Sequence, residues 1–281
     1  MDPLVPIPLT AIEEARDRIA GAAIKTPLLP LNLPDAPCEI WLKAECLQPI
    51  GSFKIRGAAN AMALADQAEL QWGVYTGSAG NMAQGVAFNA QRRGIPCRVI
   101  VPETAPQTKL TAIARLGATA VSVPFDEWWS VIRDHGHPLE KGFFVHPVSD
   151  PAVIAGNGTI GLEILEELPD VDAVIVPYGG GGLSFGIGSA LKTLRPDIRV
   201  FAAEVETASP FAASLAAGEA VEVARTPTFI DGIGGKGVLR EMWPLASSLL
   251  DGSIVVSVEQ VCSAIRILVS HAHLVAEGAG G

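Results

Sequence analysis

Lys54 is the side chain here best suited to attack a carbonyl. It lies in Gly51–Asn60, reading GSFKIRGAAN, between Phe53 and Ile55 and among Gly51, Ser52, Gly57, Ala58 and Ala59. No carboxylate stands in that stretch to pair with it. Burial disfavours the charged form of an amine, and a neutral lysine amine adds to a carbonyl to give a Schiff base. The same ten residues also read as the start of an amphipathic helix whose lysine reaches out to water. The stretch alone leaves both readings open.

Two further features bear on the choice. Val171–Val176 is a strand pattern, apolar except for Asp172; Pro177-Tyr178 ends it and Gly179–Gly182 follows at once. Ordering four glycines costs conformational entropy. Such a run makes sense where backbone N–H groups wrap an anion, and the helix read over Leu183–Leu194 aims its positive end at the same spot. A flexible loop is the alternative, and the lack of any spacer between strand and helix speaks against it. The loop is not a Walker A loop, since no Gly-Lys-Ser/Thr follows. Earlier, the strand Gly73–Thr76 runs through Gly77–Gly80 into a helix over Asn81–Arg93. A helix start at a strand's carboxyl end is where open α/β sheets bind ligands. An amine, an anion loop and a second helix start together want an aldehyde, a ring and a phosphate, which is pyridoxal 5′-phosphate. A nicotinamide dinucleotide would instead want GxGxxG and an acid about 20 residues on.

The elements that must position these groups alternate. The sequence predicts a helix over Ala11–Ala23, with Thr10 as N-cap and Glu13 completing a capping box. Thr26–Leu29 is extended, Glu39–Lys43 a strand and Ile55–Ala68 helical. Cys97–Val101 and Thr119–Val123 are strands around a helix at Gln107–Leu116. Phe125–Pro138 is a helix whose Trp128 and Trp129 pack inward. Phe143–His146 leads into an irregular Pro147–Ile154, then a helix over Gly158–Glu167. Arg199–Val205 and Ser253–Ser257 are strands, with helices at Phe211–Ala217 and Val258–His271. Strand–helix alternation makes a parallel, doubly wound sheet the default.

Totals narrow the class. The chain has 281 residues, 49% apolar and 18% charged, which suits two buried α/β domains rather than a disordered chain. Net charge is −10 and no Lys/Arg block occurs, which argues against nucleic acid. No apolar run is long enough for a bilayer, and the acids and prolines at the N-terminus are unlike a signal peptide. A cytoplasmic protein is expected. Cys38, Cys46, Cys97 and Cys262 form no CxxC pair and read as buried free thiols. His135/His137 and His271/His273 lack a third ligand at sensible spacing and read as structural or exposed, so no metal is expected.

The motifs in order resemble the threonine/serine dehydratase family of fold-type II, tryptophan-synthase-β-like pyridoxal-phosphate enzymes. The resemblance runs through Leu42–Pro49 (LKAECLQP) into Gly51–Asn60, then Ser78–Asn81 (SAGN) with Ala83–Ala87 (AQGVA). It continues through Val153–Thr159 (VIAGNGT), Val176–Leu183 and Ala276–Gly280 (AEGAG), and covers essentially the whole chain. It implies an α/β fold of two three-layer αβα domains with mostly parallel sheets and the cofactor in the interdomain cleft. The large domain would be residues 1–47 and 146–281, and the small inserted domain 48–145. Lys54 would hold the cofactor covalently, Phe53 would pack on the ring and Asn81 would hydrogen-bond its 3′-oxygen. Gly179, Gly180, Gly181, Gly182 and Leu183 would bind the phosphate, and Gly232 and Glu277 would line the ring. Ser78, Ala79, Gly80 and Asn81 would bind the substrate carboxylate. The freed Lys54 amine would take the α-proton, the β-hydroxyl would leave, and a 2-oxo acid and ammonia would result. The resemblance also implies a small amino-acid substrate and a homodimer or larger homo-oligomer.

The family resemblance leaves rivals: a serine-racemase-like enzyme with Ser78 as the second acid/base, a dehydratase for a bulkier hydroxy amino acid, or a non-catalytic binder of amino acid or cofactor. Met82 stands where threonine-specific members often have His. A divalent cation in some relatives is held by a Glu, a carbonyl and an Asp; here Glu204 and Ala208 match, but Pro210 replaces the Asp, so that site is not expected. Family members continue to a Ser or Cys that meets the pyridine nitrogen, and no such residue follows AEGAG in this sequence. No regulatory domain follows either, so end-product feedback is not expected.

Overall fold

The computed structural model describes residues 3–281. It forms two compact units, one of Glu13–Ile24 with Gln48–Asn157, the other of the segment up to Ile12, Lys25–Leu47 and Gly158–Gly281. Helices are α1 Leu9–Ile19, α2 Lys54–Leu64, α3 Gln67–Leu70, α4 Asn81–Arg93, α5 Gln107–Arg115, α6 Phe125–Arg133, α7 Pro151–Glu167, α8 Gly182–Leu194, α9 Pro210–Ala217, α10 Trp243–Leu249 and α11 Val258–Ile267. Strands are β1 Leu28–Pro30, β2 Trp41–Lys43, β3 Val74–Gly77, β4 Cys97–Pro102, β5 Thr119–Val123, β6 Phe143–Phe144, β7 Ala173–Pro177, β8 Arg199–Val205 and β9 Gly252–Val256. No helix among the described residues is long and apolar enough to cross a membrane.

The unit that carries Lys54 is built on a parallel sheet of order β5-β4-β3-β6. Its central strands β3 and β4 are largely buried, as parallel strands covered on both faces are, while the edge strand β5 is mostly exposed. Val74, Val99 and Val101 enter one core with Met62, Met82, Val86 and Ile113. Tyr75 and Ile100 point the other way, into a core with Val123 and Val131 that Trp128 packs against. Trp128 therefore packs, as expected, and Trp129 lies half-buried beside it at 6.2 Å between ring centres. The other unit holds a parallel sheet of order β7-β8-β9, and β1 pairs with β2 antiparallel.

Several boundaries differ from the sequence reading, each for a visible reason. Helix α1 starts at Leu9, because the Pro8 carbonyl rather than Thr10 accepts the first amides, from Ala11 and Ile12. The expected single helix over Ile55–Ala68 is broken at Ala65, whose backbone is extended. Asp66 caps the next helix, its side chain accepting from the Ala68 amide at 2.8 Å, and so favours a new start over continuation. Helix α10 carries no counterpart in the sequence reading. Of the four thiols, all free, only Cys97 is buried; Cys38 is exposed. Burial pushes the Cys97 thiol up to about 12.

The largest correction is α7, which begins at Pro151 instead of Gly158. Asp150 accepts from the Ala152 amide at 2.7 Å and Pro151 takes the first helical position. Its glycines are there for contact. A Cβ on Gly156 would stand 2.5 Å from the Arg56 carbonyl oxygen, and one on Gly57 2.8 Å from the Val153 carbonyl. Helices α2 and α7 thus meet backbone to backbone, and α2 begins with Lys54. Gly156→Ala is expected to lower stability by about 1–3 kcal/mol through overpacking, despite alanine's better helix propensity. A lower urea midpoint with an unchanged m-value would register it.

Candidate active site

Lys54 is the first residue of α2, and the Ser52 hydroxyl accepts from its amide at 3.4 Å. The side chain is half-buried, so the lysine does not simply extend into water. Its Nζ donates to the Pro147 carbonyl at 2.9 Å and lies 5.3 Å from the centre of the Phe53 ring.

The Ser78–Gly80 turn belongs to the same unit. Strand β3 delivers it and α4 opens on Asn81, with Gly80 as N-cap. Ser78 Oγ accepts from the Gly80 amide at 3.2 Å. A Cβ on Gly80 would meet nothing within 4 Å, so this helix start faces open space. The first amides of a helix have no intrahelical acceptor and suit a carboxylate. Helix α4 is seated on the lysine segment, since a Cβ on Gly85 would stand 3.1 Å from the Lys54 carbonyl oxygen. Met82 is buried in the core and so does not line this opening.

The other unit gathers the remaining expected residues. The amides of Gly179 to Leu183 lie at the carboxyl end of β7 and the start of α8. Gly181 is the N-cap at φ +93°, a conformation that favours glycine. A Cβ on Gly179 would be 3.3 Å from the Gly232 carbonyl, and one on Gly232 3.1 Å from Glu277 Oε1. Three segments far apart in sequence thus meet here: the tetraglycine turn, Gly232 and Glu277. Tyr178 anchors the turn. It is fully buried, stacked on Phe211 at 5.0 Å between ring centres and edge-on to Phe185 at 6.0 Å. Burial drives its phenol pKa upward, so it stays neutral.

Glu204, which matches one position of the cation site of some relatives, accepts three hydrogen bonds. Its carboxylate accepts from the amides of Phe211 at 2.8 Å and Ala212 at 2.7 Å and from Ser253 Oγ at 2.6 Å. It therefore ties the start of α9 to β9, and Pro210 fills the first helical position.

One group beside Lys54 escaped the sequence reading. His146 is 2% exposed, and its ring is stacked on His135 at 4.0 Å. Burial is the main reason its pKa falls from 6.5 to about 3, with His135 and Lys54 adding repulsion. The unfolded ring takes a proton below about 6.5 and the folded ring only below about 3. Between these values the unfolded state holds more protons, so stability falls as pH falls, by about 1.4 kcal/mol per unit for this group. Urea melts from pH 7 to pH 4 should show that slope, and His146→Asn should flatten it. The sequence signal was His146-Pro147 just ahead of Asp150-Pro151 and the VIAGNGT segment.

The described residues thus include an amine at the head of α2, an open start to α4 and a run of glycine amides at the head of α8. The chain belongs to the pyridoxal-phosphate dependent enzyme family, which it matches over residues 19–281. It is 44% identical over 246 residues to the L-threonine ammonia-lyase of Thermotoga maritima, covering 86% of this chain and 61% of that protein. It is 40% identical over 284 residues to the L-threonine ammonia-lyase of Geobacter sulfurreducens, covering 98% of this chain and 69% of that one. The structure of maize serine racemase superposes with a TM-score of 0.90 at 32% identity, over 98% of this chain and 84% of that one.

The cofactor is pyridoxal 5′-phosphate, and the residues present fit it. A Cβ at Gly179 would press on Gly232 and one at Gly181 would run into Phe185, so both positions favour glycine, and the backbone amides at the head of α8 suit an anion.

Proposed function

We propose that this protein eliminates the β-hydroxyl of a small hydroxy amino acid, L-threonine or L-serine, to give a 2-oxo acid and ammonia. The observation that carries this is Lys54 at the head of α2, with α4 and its Ser78–Asn81 start packed on the lysine's own backbone. The likeness to two L-threonine ammonia-lyases supports the choice of substrate. We take residues 48–145 as the small domain that brings the lysine, inserted between 1–47 and 146–281.

Pyridoxal phosphate, when bound, supplies the electron sink that acidifies the α-carbon of an amino acid. Lys54 Nζ is its attachment point and afterwards accepts the α-proton. Gly179, Gly180, Gly181, Gly182 and Leu183 hold the phosphate through backbone amides. Asn81 and Phe53 would orient the ring, and Gly232 and Glu277 would line it. Ser78, Ala79, Gly80 and Asn81 bind the substrate carboxylate at the positive end of α4. The reading includes cytoplasmic residence and a homo-oligomer, dimer or larger.

A second reading, racemisation, has a specific basis: it needs a second acid/base, Ser78 Oγ at the start of α4 could serve as one, and the fold match includes a serine racemase. Assays of ammonia, 2-oxo acid and D-serine from L-serine separate the two. Dehydration expects keto acid well in excess of D-serine, and Ser78→Ala then retains much of the α-proton exchange. D-serine as the main product would favour racemisation instead.

A further inference from the structure

The strongest unassigned feature is the polar knot behind Lys54. His146 Nε2 lies 3.0 Å from the Ile132 carbonyl, an acceptor only, so Nε2 carries the proton. Nδ1 is then a lone-pair acceptor, and it takes the amides of Ser149 at 2.8 Å and Val148 at 3.1 Å. Ser149 Oγ in turn meets His135 Nε2 at 3.1 Å, and His135 lies flat on the His146 ring. Behind them the Val145 amide donates to the Tyr75 carbonyl at 2.9 Å, and Thr76 Oγ1 donates to the Val145 carbonyl at 2.8 Å. The turn 146–149 is therefore fixed from β3 on one side and from a buried ring on the other. At its centre is Pro147, itself buried, whose carbonyl receives Lys54 Nζ at 2.9 Å.

We propose that His146 is a positioning residue for Lys54: its neutral ring grips the Val148 and Ser149 amides and so aims the Pro147 carbonyl at the lysine amine. Proline supplies no N–H of its own, so without the ring nothing in the turn's backbone at residue 147 ties that carbonyl down. A carbonyl acceptor at a set place directs the N–H bonds of the amine, and with them its lone pair. A ring that gained a second proton would lose both amide bonds. The charged and titratable groups around it are Lys54 and His135, and Asp150 lies near His135. The inference rests on the reading of Lys54 as the amine that joins the cofactor, and not on which amino acid is the substrate. In that joining step the Lys54 nitrogen bonds to the aldehyde carbon and the aldehyde oxygen leaves as water.

The test uses the cofactor-stripped protein mixed with pyridoxal phosphate, following absorbance at roughly 410–420 nm, the band expected of this cofactor class. In His146→Phe, which keeps a ring but no acceptor, band formation should slow by about tenfold, since small misplacements of a reacting group cost that much or more. Its pH–rate profile should shift as well. His146→Asn, which returns an acceptor near Nδ1, should recover much of the rate. Equal rates and profiles in wild type and His146→Phe would overturn the proposal. Should His146→Phe not fold, ring nitrogen shifts of the wild-type protein decide: the Nε2–H tautomer held to pH 5 supports the clamp, and titration near the ordinary 6.5 overturns it. A wild-type protein that forms no band fails the Lys54 reading itself, while ammonia-free turnover with a normal band fails only the choice of substrate.

Discussion

Replacing Lys54 by alanine should lower ammonia release from L-threonine and L-serine by ~10³–10⁴-fold, the range for losing a group that both attaches the cofactor and moves a proton. The fold should survive the change. Alanine is the best helix former, Lys54 occupies the first position of α2, and the contacts removed include the Nζ bond to the Pro147 carbonyl and the approach to the Phe53 ring. A thermal melt close to wild type together with lost turnover is the expected pair of results. A drop of less than about tenfold would mean another group performs the proton transfer.

Gly181→Ala should have the second largest effect, this time on stability and cofactor binding together. An L-residue at φ +93° is strained by about 1–2 kcal/mol. The new Cβ would also stand 2.4 Å from Phe185 Cε2. That ring is fully buried against Tyr178, so it has little room to give way. Strain and overpacking together should cost about 2–5 kcal/mol. The urea midpoint of the cofactor-free protein checks the first part, and a dissociation constant for pyridoxal phosphate raised by about tenfold or more checks the second, because the amides at the head of α8 would turn away. Gly80→Ala is the control. Its Cβ would meet open space and its φ is not left-handed, so the loss should be clearly smaller than at Gly181. An equal loss at both positions would show that Gly181 is not special.

How far the sequence disclosed this molecule depends on which physical signal each element carries. Helix α4 and strands β5 and β8 were legible to the residue, because their apolar patterns end in clear stops such as Gly94, at φ +67°. The family's motifs were legible too: Lys54 in the stretch Gly51–Asn60, which contains no carboxylate, and the tetraglycine turn between a strand and a helix. The first turns of α7 were not, since Gly156 and Gly158 weaken a helical pattern. Glycine is there because α2 comes within backbone contact at Gly156, a tertiary fact that no local propensity holds. The cap itself, Asp150 before Pro151, was present in the sequence and was outweighed by those glycines. His146 was hidden for a related reason. A lone histidine outside the two HxH pairs gives no sign of which carbonyl and amides it will meet, and those lie at Ile132, Val148 and Ser149.

The most direct test is chemical capture. The protein is loaded with pyridoxal phosphate, reduced with borohydride to fix any carbon–nitrogen link, digested and mapped by mass spectrometry. The pyridoxyl group is expected on the peptide containing Lys54 and on no other lysine. Its recovery on a different lysine, or on none, would contradict the role assigned to Lys54.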